Sequence, residues 1–160
     1  TSGIDDTYDS YVFKFYDIHP ASNTVNFQIN ASTDGGSNYN ATKTTTYFLA
    51  YHTENDSGYA LQYYANRDLA QSTSAQQIVT IGNANDDSAS GTLTLYNPSS
   101  TVFVKHFMSR QQAPTGEATQ NCKDTYVAGY FNTTSAINAV QFTMSSGNID
   151  SGVIKLYGVS

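Results

Sequence analysis

The sequence predicts an all-β fold, an antiparallel β-sandwich of jelly-roll type with about eight strands. Three observations lead to this prediction. Short runs of alternating bulky and small side chains recur about every ten residues, between turns rich in Gly, Asn, Asp and Ser. Aromatic residues make up 13% of the 160 residues, whereas charged residues make up only 12%. This composition favours strands over long surface helices, which need Ala, Glu, Lys and Leu.

We expect one domain that spans residues 1–160. Its first half opens with a polar, acidic stretch, so residues 1–10 are expected to form an arm. Strands then follow with a period of two. His19-Pro20 should end the first strand, because proline cannot donate to a sheet ladder. The predicted strands of this half are Tyr11–Ile18, Val25–Ile29, Thr42–His52 and, as a short strand or a turn of helix, Tyr59–Tyr64.

The turn Ser32–Tyr39 (STDGGSNY) resembles the Asp box of sialidase-like propellers, where the motif is a structural turn that recurs in each blade. The chain contains one copy and no repeat, so the resemblance does not predict a propeller here. The plainer interpretation is a hairpin in which the Asp34 side chain caps its own turn.

The second half of the chain contains six more predicted strands. Two of them should form a hairpin across Asn97–Ser100, and Gln111–Asp124 reads as a polar, irregular excursion. A change of parity near Ala139 suggests a bulge. Because chain ends otherwise fray, the apolar last strand should lie in the middle of a sheet. The predicted strands are Gln77–Ile81, Thr92–Tyr96, Thr101–Met108, Tyr126–Phe131, Ala136–Met144 and Val153–Val159.

Composition also excludes several classes of function. The net charge is -6 with only 7 basic residues, which are scattered singly, so we expect no nucleic-acid partner. No apolar run approaches the length of a membrane span, so we expect that the protein does not associate with a membrane. The lone Cys122 cannot form an internal disulfide, which fits assembly in a reducing cytoplasm. An inert thiol is favoured, because a nucleophile needs a positioned base.

The candidate catalytic and metal-binding residues do not form a recognisable motif. The three histidines, His19, His52 and His106, lie in separate strands or strand ends, and zinc needs three or four ligands. His52 and Glu54, two residues apart, could face the same way and ligate a metal, but no second His or Cys is nearby in the sequence. A pair of carboxylates can cleave sugars, but nothing in the sequence fixes their separation, and solvated surface roles are favoured. We therefore expect that the protein is not an enzyme. The carboxylates that could have formed a glycosidase pair are Glu54, Asp56, Asp68 and Glu117.

Two further groups of residues are candidates for binding. The loop after Ile81 offers oxygen ligands of the kind that calcium takes, at Asn83, Asn85, Asp86 and Asp87. It lacks the fixed Gly and terminal Glu of an EF-hand, so a polar turn is favoured and we expect no metal or cofactor. The tyrosines Tyr59, Tyr63 and Tyr64 are candidates for stacking on glycan rings.

Three phrases of the sequence resemble a β-rich domain of tailed-bacteriophage structural proteins, especially those of marine phages. They are YVFKFYDIHP with the following STDGGSNY, SGTLTLYNPSS from Ser90, and MSSGNIDSGVIKLYG from Met144. The resemblance implies a virion component, either a capsid decoration protein or a tail or fibre domain, assembled in the host cytoplasm. It supplies no catalytic residues.

The pattern of aromatic residues agrees with an interacting surface. Both parities of several strands carry aromatic side chains, so one sheet side fills the core and the other meets a neighbour or a ligand. We therefore expect a homo-oligomer, for instance a trimer, in contact with other virion proteins. The alternative is a carbohydrate-binding or receptor-binding module that recognises a host-surface glycan.

Overall fold

The computed structural model describes residues 3–114 and 120–160, and it confirms the antiparallel β-sandwich. Ten strands occur in these ranges instead of about eight, and their only helical turn is a 3-10 turn at Ala65–Arg67. The strands are β1 (Ser10–Pro20), β2 (Val25–Ser32), β3 (Lys43–Thr53), β4 (Tyr59–Tyr63), β5 (Gln76–Ile81), β6 (Ala89–Tyr96), β7 (Lys105–Pro114), β8 (Asn121–Phe131), β9 (Ala139–Met144) and β10 (Ile149–Val159).

The strands form two antiparallel sheets of unequal size. The large sheet has seven strands in the order β10-β1-β6-β7-β8-β3-β4, and the small sheet has three in the order β5-β2-β9. Alternate residues of the large sheet point towards the small sheet; β7, for example, alternates between buried and exposed positions along its length. The large sheet therefore has one face in the core and one face away from it. The jelly-roll winding of the strands remains a prediction.

The centre of the core is a group of phenylalanines contributed by both sheets. Phe13 and Phe15 of β1 each lie 5.0 Å, between ring centroids, from Phe142 of β9. Phe15 also meets Phe27 of β2 edge to face at 5.3 Å. Such edge-to-face pairs add to the stabilisation that burial of the rings provides. The two sheets are held together mainly by this aromatic contact and the aliphatic side chains around it.

The last strand lies at an edge of the large sheet, so the prediction of a central position was wrong. β10 pairs only with β1 among the described strands; nine of its eleven residues are exposed and the other two are half-buried. The N-terminal segment reaches this edge. The ring of Tyr8 packs so closely on Gly158 that a Cβ there would lie 2.0 Å from Tyr8 Cδ2, while Ile4 is buried in the core. Any larger residue at position 158 would therefore displace the Tyr8 ring from this edge.

Several predicted boundaries also differ from the structure. β1 continues through His19-Pro20 to pair with β10, and shifts of register accommodate the proline. The β6–β7 hairpin is present, but its loop runs from 97 to 104 because β7 begins only at Lys105. The predicted polar excursion is mostly strand, since β7 reaches Pro114 and β8 begins at Asn121; residues 115–119 lie outside the described part. β9 pairs regularly with β2 from Ala139 onwards, so no bulge occurs there.

The Asp34 side chain caps its own turn, as predicted. Its Oδ1 accepts from Ser32 Oγ at 2.6 Å and from the Asn38 N–H at 2.9 Å, and its Oδ2 accepts from Asn38 Nδ2 at 2.7 Å. These hydrogen bonds, that of Ser32 first, lower the pKa of Asp34 to about 2. The turn is not a hairpin, however, because it joins β2 of the small sheet to β3 of the large one.

Two lysines are buried on the inner side of the large sheet. Lys43 and Lys105 are both 0% exposed, and each pairs with Phe131 from opposite sides. Lys43 Nζ donates to the Ser74 carbonyl at 2.7 Å and lies 5.7 Å from the Phe131 ring centroid. Burial lowers the pKa of Lys43 to about 8. Burial also lowers the pKa of Lys105, whose Nζ donates to the backbone carbonyls of Phe103 (2.9 Å) and Thr133 (3.0 Å).

Candidate functional site

The face of the large sheet that points away from the core is rich in aromatic side chains. We call the side chains on this side the outer face. They are the residues that alternate with core positions, as Phe48 does with the buried Tyr47 and Leu49 of β3. The large apolar members of the outer face are Tyr16, Phe48, Tyr59, Leu61, Tyr63, Tyr96, Met108, Tyr126, Tyr130 and Tyr157.

One row of the outer face crosses all seven strands in register. Its aromatic half comprises Tyr63, Phe48 and Tyr126, with the rings of Phe48 and Tyr126 stacked in parallel at 4.8 Å. Beyond them the register continues through polar and basic side chains. The row therefore changes from aromatic at the β4 edge to cationic at the β10 edge; its remaining members are Arg110, Thr92, Lys14 and Lys155.

Tyr126 is held in place by a charged pair. The Arg110 guanidinium lies 5.0 Å from the Tyr126 ring centroid and donates to both carboxylate oxygens of Asp124. This hydrogen bonding lowers the pKa of Asp124 and raises that of Arg110. The Tyr126 hydroxyl also donates to Asp124 at 3.0 Å, which raises the pKa of Tyr126. The ring is thus fixed before any partner arrives, so its contact needs little further ordering.

The outer face contains an apolar groove beside this row. A groove of ≈ 490 Å³ is lined by side chains that include Tyr96, His106, Met108 and Tyr130, with the short Ala128 between them. A second groove of ≈ 280 Å³ shares Met108 and Ala128 with the first and extends to Phe48 and Tyr126. Small residues among large ones give the face a relief into which a partner's side chains can fit, and Met108 can adapt its shape.

The structure separates the three tyrosines predicted to stack on glycans. Tyr59 and Tyr63 point outward from the edge strand β4 and are 78% and 63% exposed, with Leu61 between them at 74%. Tyr64 points inward, where it packs edge to face on Tyr47 at 6.1 Å and lies under the Arg67 guanidinium. Tyr64 therefore belongs to the core margin and not to the exposed row, because neighbouring residues of an extended chain face opposite sides.

The predicted calcium residues occupy one loop but different environments. Asn83, Asn85 and Asp86 are exposed, whereas Asp87 is 1% exposed.

The histidines have separate surroundings. His19 contacts the Ala84 carbonyl at 3.2 Å, and His106 lies beside the Tyr130 ring. Among residues 3–114 and 120–160, no three His, Cys, Asp or Glu side chains are grouped so as to hold a metal.

The remaining catalytic candidates lie at exposed positions or in structural bonds. His52 stands directly across from Cys122, the exposed free thiol, but its Nε2 pairs with Asp56 at 2.9 Å. The side chains of this pair are 59% and 87% exposed, so solvent screens their interaction. Asp68 accepts from the Tyr47 N–H and from the Tyr63 hydroxyl, and Glu54 is exposed. Glu117 lies outside the described residues.

The chain matches no protein-family model, no curated protein and no solved structure. The described residues also contain no helix that is long and apolar enough to cross a membrane. The outer face is therefore the feature of the molecule that bears on its function. Sequence reasoning foresaw an aromatic sheet surface but not its members Phe48, Met108, Tyr126 and Tyr130; their parity, opposite to that of the core residues, is the signal that identifies them.

Proposed function

We propose that the chain is a structural domain of a bacteriophage particle, as a capsid decoration protein or a tail or fibre domain, and that it acts by packing its outer face against a neighbouring subunit. The observation that carries the proposal is the exposure of large apolar side chains on that face. Met108 is 57% exposed, and the rings of Tyr16, Tyr96 and Tyr157 are 40%, 41% and 42% exposed. Tyr96 and Met108 are also in contact and line the apolar groove, and large exposed apolar patches are uncommon on free monomers.

The resemblance of the sequence to marine phage structural proteins supports the location of the domain in a virion. The composition of the outer face supports an assembly role, since aromatic and methionine side chains are enriched at protein interfaces. The neighbouring subunit that we favour is a second copy of this chain, in a homo-oligomer such as a trimer, with other virion proteins as further contacts. Assembly would take place in the host cytoplasm, where a lone thiol stays reduced.

A non-enzymatic role is part of the proposal. The candidate acids of the described part either face solvent, as Glu54 and Asp56 do, or accept structural hydrogen bonds, as Asp68 does. A glycosidase needs two carboxyl groups that flank one bond at a set separation. Turnover of a polysaccharide by the purified chain would contradict this part of the proposal.

The substitution Met108→Glu tests the assembly role. We expect it to weaken self-association by about tenfold or more, because a carboxylate buried in an interface without a partner is costly. Sedimentation velocity at micromolar concentrations measures the change. The matched control is Phe103→Glu in the β6–β7 loop, since Phe103 is 68% exposed but lies off the outer face; this variant should associate like the wild type.

A wild-type chain that stays monomeric at these concentrations would overturn the self-association that we propose. Electron microscopy of intact particles tests the location independently. A repeating lattice of copies on the shell identifies a capsid protein, and a few copies at the tail tip identify a tail or fibre domain. Absence of the chain from purified virions would contradict the virion assignment.

The second candidate function is glycan binding, and the edge strand β4 is the observation that favours it. Tyr59, Leu61 and Tyr63 form an outward row of three highly exposed side chains on one strand. The two tyrosines are four residues apart, or about 13 Å along the strand. Tyr63 is oriented by its hydrogen bond to Asp68, which raises the pKa of the Tyr63 hydroxyl. Rings held in this way suit stacking on an extended sugar chain.

The double substitution Tyr59→Ala with Tyr63→Ala tests this candidate on a glycan array. If the row binds a sugar, we expect affinity to fall by about 10- to 30-fold, because exposed aromatic anchors carry much of such binding energy. The fold should be almost unaffected, since both side chains are largely exposed. Phe103→Ala serves as the control for the loss of an exposed ring. An array on which the wild type binds nothing excludes the candidate for those glycans.

A further inference from the structure

One carboxylate in the described part of the chain is buried without a partner. Asp87 is 1% exposed, and neither Oδ1 nor Oδ2 has a hydrogen-bond donor from the protein, although both oxygens are shut off from solvent. By contrast, Asp34 and Asp124 each accept several hydrogen bonds. An ionised carboxylate can only accept, and its burial is very unfavourable unless a donor or a cation meets it. A cation or an ordered water from solution would satisfy Asp87.

The loop that holds Asp87 is fixed at several points. It covers residues 82–88 and joins β5 of the small sheet to β6 of the large one. The Asp87 N–H donates to the Ala84 carbonyl at 2.9 Å, and His19 Nε2 contacts the same carbonyl at 3.2 Å. The Asn83 N–H donates to Asn23 Oδ1 at 3.2 Å. These bonds tie the loop to the β1–β2 connection, so the buried carboxylate sits where the two sheets are joined.

The basic side chain that contacts this loop, His19, is already engaged. It also pairs through Nδ1 with Asp150 at 3.5 Å. The other ion pairs of the described part, His52–Asp56 and Arg110–Asp124, do not involve this loop. No ion pair within the described residues therefore balances the negative charge of Asp87.

The other side chains of the loop indicate which ligand fits. Asn83, Asn85 and Asp86 add amide and carboxylate oxygens at exposed positions of the same turn. This all-oxygen set suits a hard cation, and an irregular loop suits Ca²⁺, which tolerates flexible geometry, better than Mg²⁺, which demands a near-ideal octahedron. Zinc is disfavoured, because no group of three His, Cys, Asp or Glu forms in the described residues.

We infer that the loop 82–88 is a calcium site in which Asp87 is the buried anionic ligand and Asn83, Asn85 and Asp86 supply further oxygens. The sequence alone favours a plain polar turn here; the burial of an unpartnered Asp87 is the observation that changes this interpretation. With only two carboxylates, the site belongs to the weak class, with dissociation constants of about 10⁻⁴–10⁻³ M. Bound calcium would fasten the connection between the sheets.

The test uses the complete wild-type chain and calcium itself. Thermal unfolding in 10 mM CaCl₂ is expected to occur about 3–6 °C above unfolding in EDTA, since a ligand that binds only the folded state stabilises it. Calorimetric titration should give a saturable heat in the same concentration range. MgCl₂ at 10 mM should raise the unfolding temperature by less than half as much.

Three variants locate the site. Asp87→Asn should abolish the calcium-dependent shift, and Asp86→Asn should reduce it. The matched control, Asp56→Asn, removes an exposed carboxylate from another polar turn and should leave the shift unchanged. If Asp87→Asn does not fold, the wild-type titration and Asp86→Asn decide the matter. No heat and no shift with the wild type, an equal effect of magnesium, or a full shift in Asp87→Asn would each overturn the inference.

Discussion

Replacing Phe15 by alanine is expected to lower the free energy of unfolding by about 3–5 kcal/mol. Phe15 is 2% exposed, and its ring contacts Phe27 of the small sheet and Phe142 of β9, with centroids 5.3 and 5.0 Å away. The truncation removes the apolar transfer energy of a whole ring and leaves a cavity between the sheets that their backbones cannot close. Denaturant unfolding followed by far-ultraviolet circular dichroism measures the loss.

The matched control for this prediction is Phe48→Ala, on the opposite face of the same sheet. Phe48 is half-buried and stacks on Tyr126, so its loss should cost about 1 kcal/mol or less. The two substitutions should thus distinguish the faces by stability: loss of the inner Phe15 should destabilise the fold strongly, and loss of the outer Phe48 only slightly. Equal destabilisation by the two substitutions would contradict the division into an inner and an outer face.

The substitution Lys43→Met should stabilise the chain at pH 7 by about 1–2 kcal/mol. The lysine is 0% exposed, its Nζ donates to Ser74 O at 2.7 Å, and it forms no ion pair with a carboxylate of the described residues. Burial lowers its pKa from the ordinary value of 10.5 to about 8. This difference corresponds to a cost of about 3 kcal/mol for keeping the charge in the folded state. Methionine removes the charge at similar size but leaves Ser74 O unbonded, which offsets part of the gain.

The same lysine makes stability depend on pH, with a definite sign. Between pH 8 and 10.5 the unfolded chain binds more protons at this group than the folded chain, because the folded pKa is the lower one. The free energy of unfolding should therefore rise with pH through this window. Below pH 8 the full cost of the charge applies. Lys43→Met should abolish this contribution, so its stability advantage should shrink from pH 7 to 9.5.

The exposed Lys14 provides the control for this experiment. Lys14→Met removes a charge from the outer face and should change stability little at any pH in the range. Comparing the stability of each variant with that of the wild type at every pH cancels the contribution of tyrosine ionisation, which both chains share. A stability difference between Lys43→Met and the wild type that does not vary with pH would contradict the proposed burial of a charged lysine.

The period of two located most of the strands, but it could not say which of them are neighbours. β1, β2 and β3 alternate clearly and lie close to their predicted positions. The last strand is equally apolar, yet it lies at an edge, where Val153 and Tyr157 are 49% and 42% exposed on the outer face. The apolar character of a strand predicts that its side chains are covered by another surface. It does not predict whether that surface belongs to this chain or to another molecule.

Polar residues concealed the end of β7 and the beginning of β8. Gln111 and Thr125 are buried opposite each other there, so these inner positions lack the apolar signal that identifies a strand. The site was affected in the same way. Tyr63 and Tyr64 are adjacent and alike in sequence but face opposite sides, and nothing in the loop sequence distinguishes the buried Asp87 from the exposed Asp86. Tertiary contacts decide which of two adjacent residues faces the core.

Cys122 gives the outer face a chemical handle. It is the chain's single cysteine, it is exposed, and its register partner is the outward-facing His52. A maleimide dye can therefore be attached at one known point of the large sheet without prior mutagenesis. The rate at which the thiol reacts then reports how freely reagents reach that corner of the molecule, in the isolated chain and in any assembly that it forms.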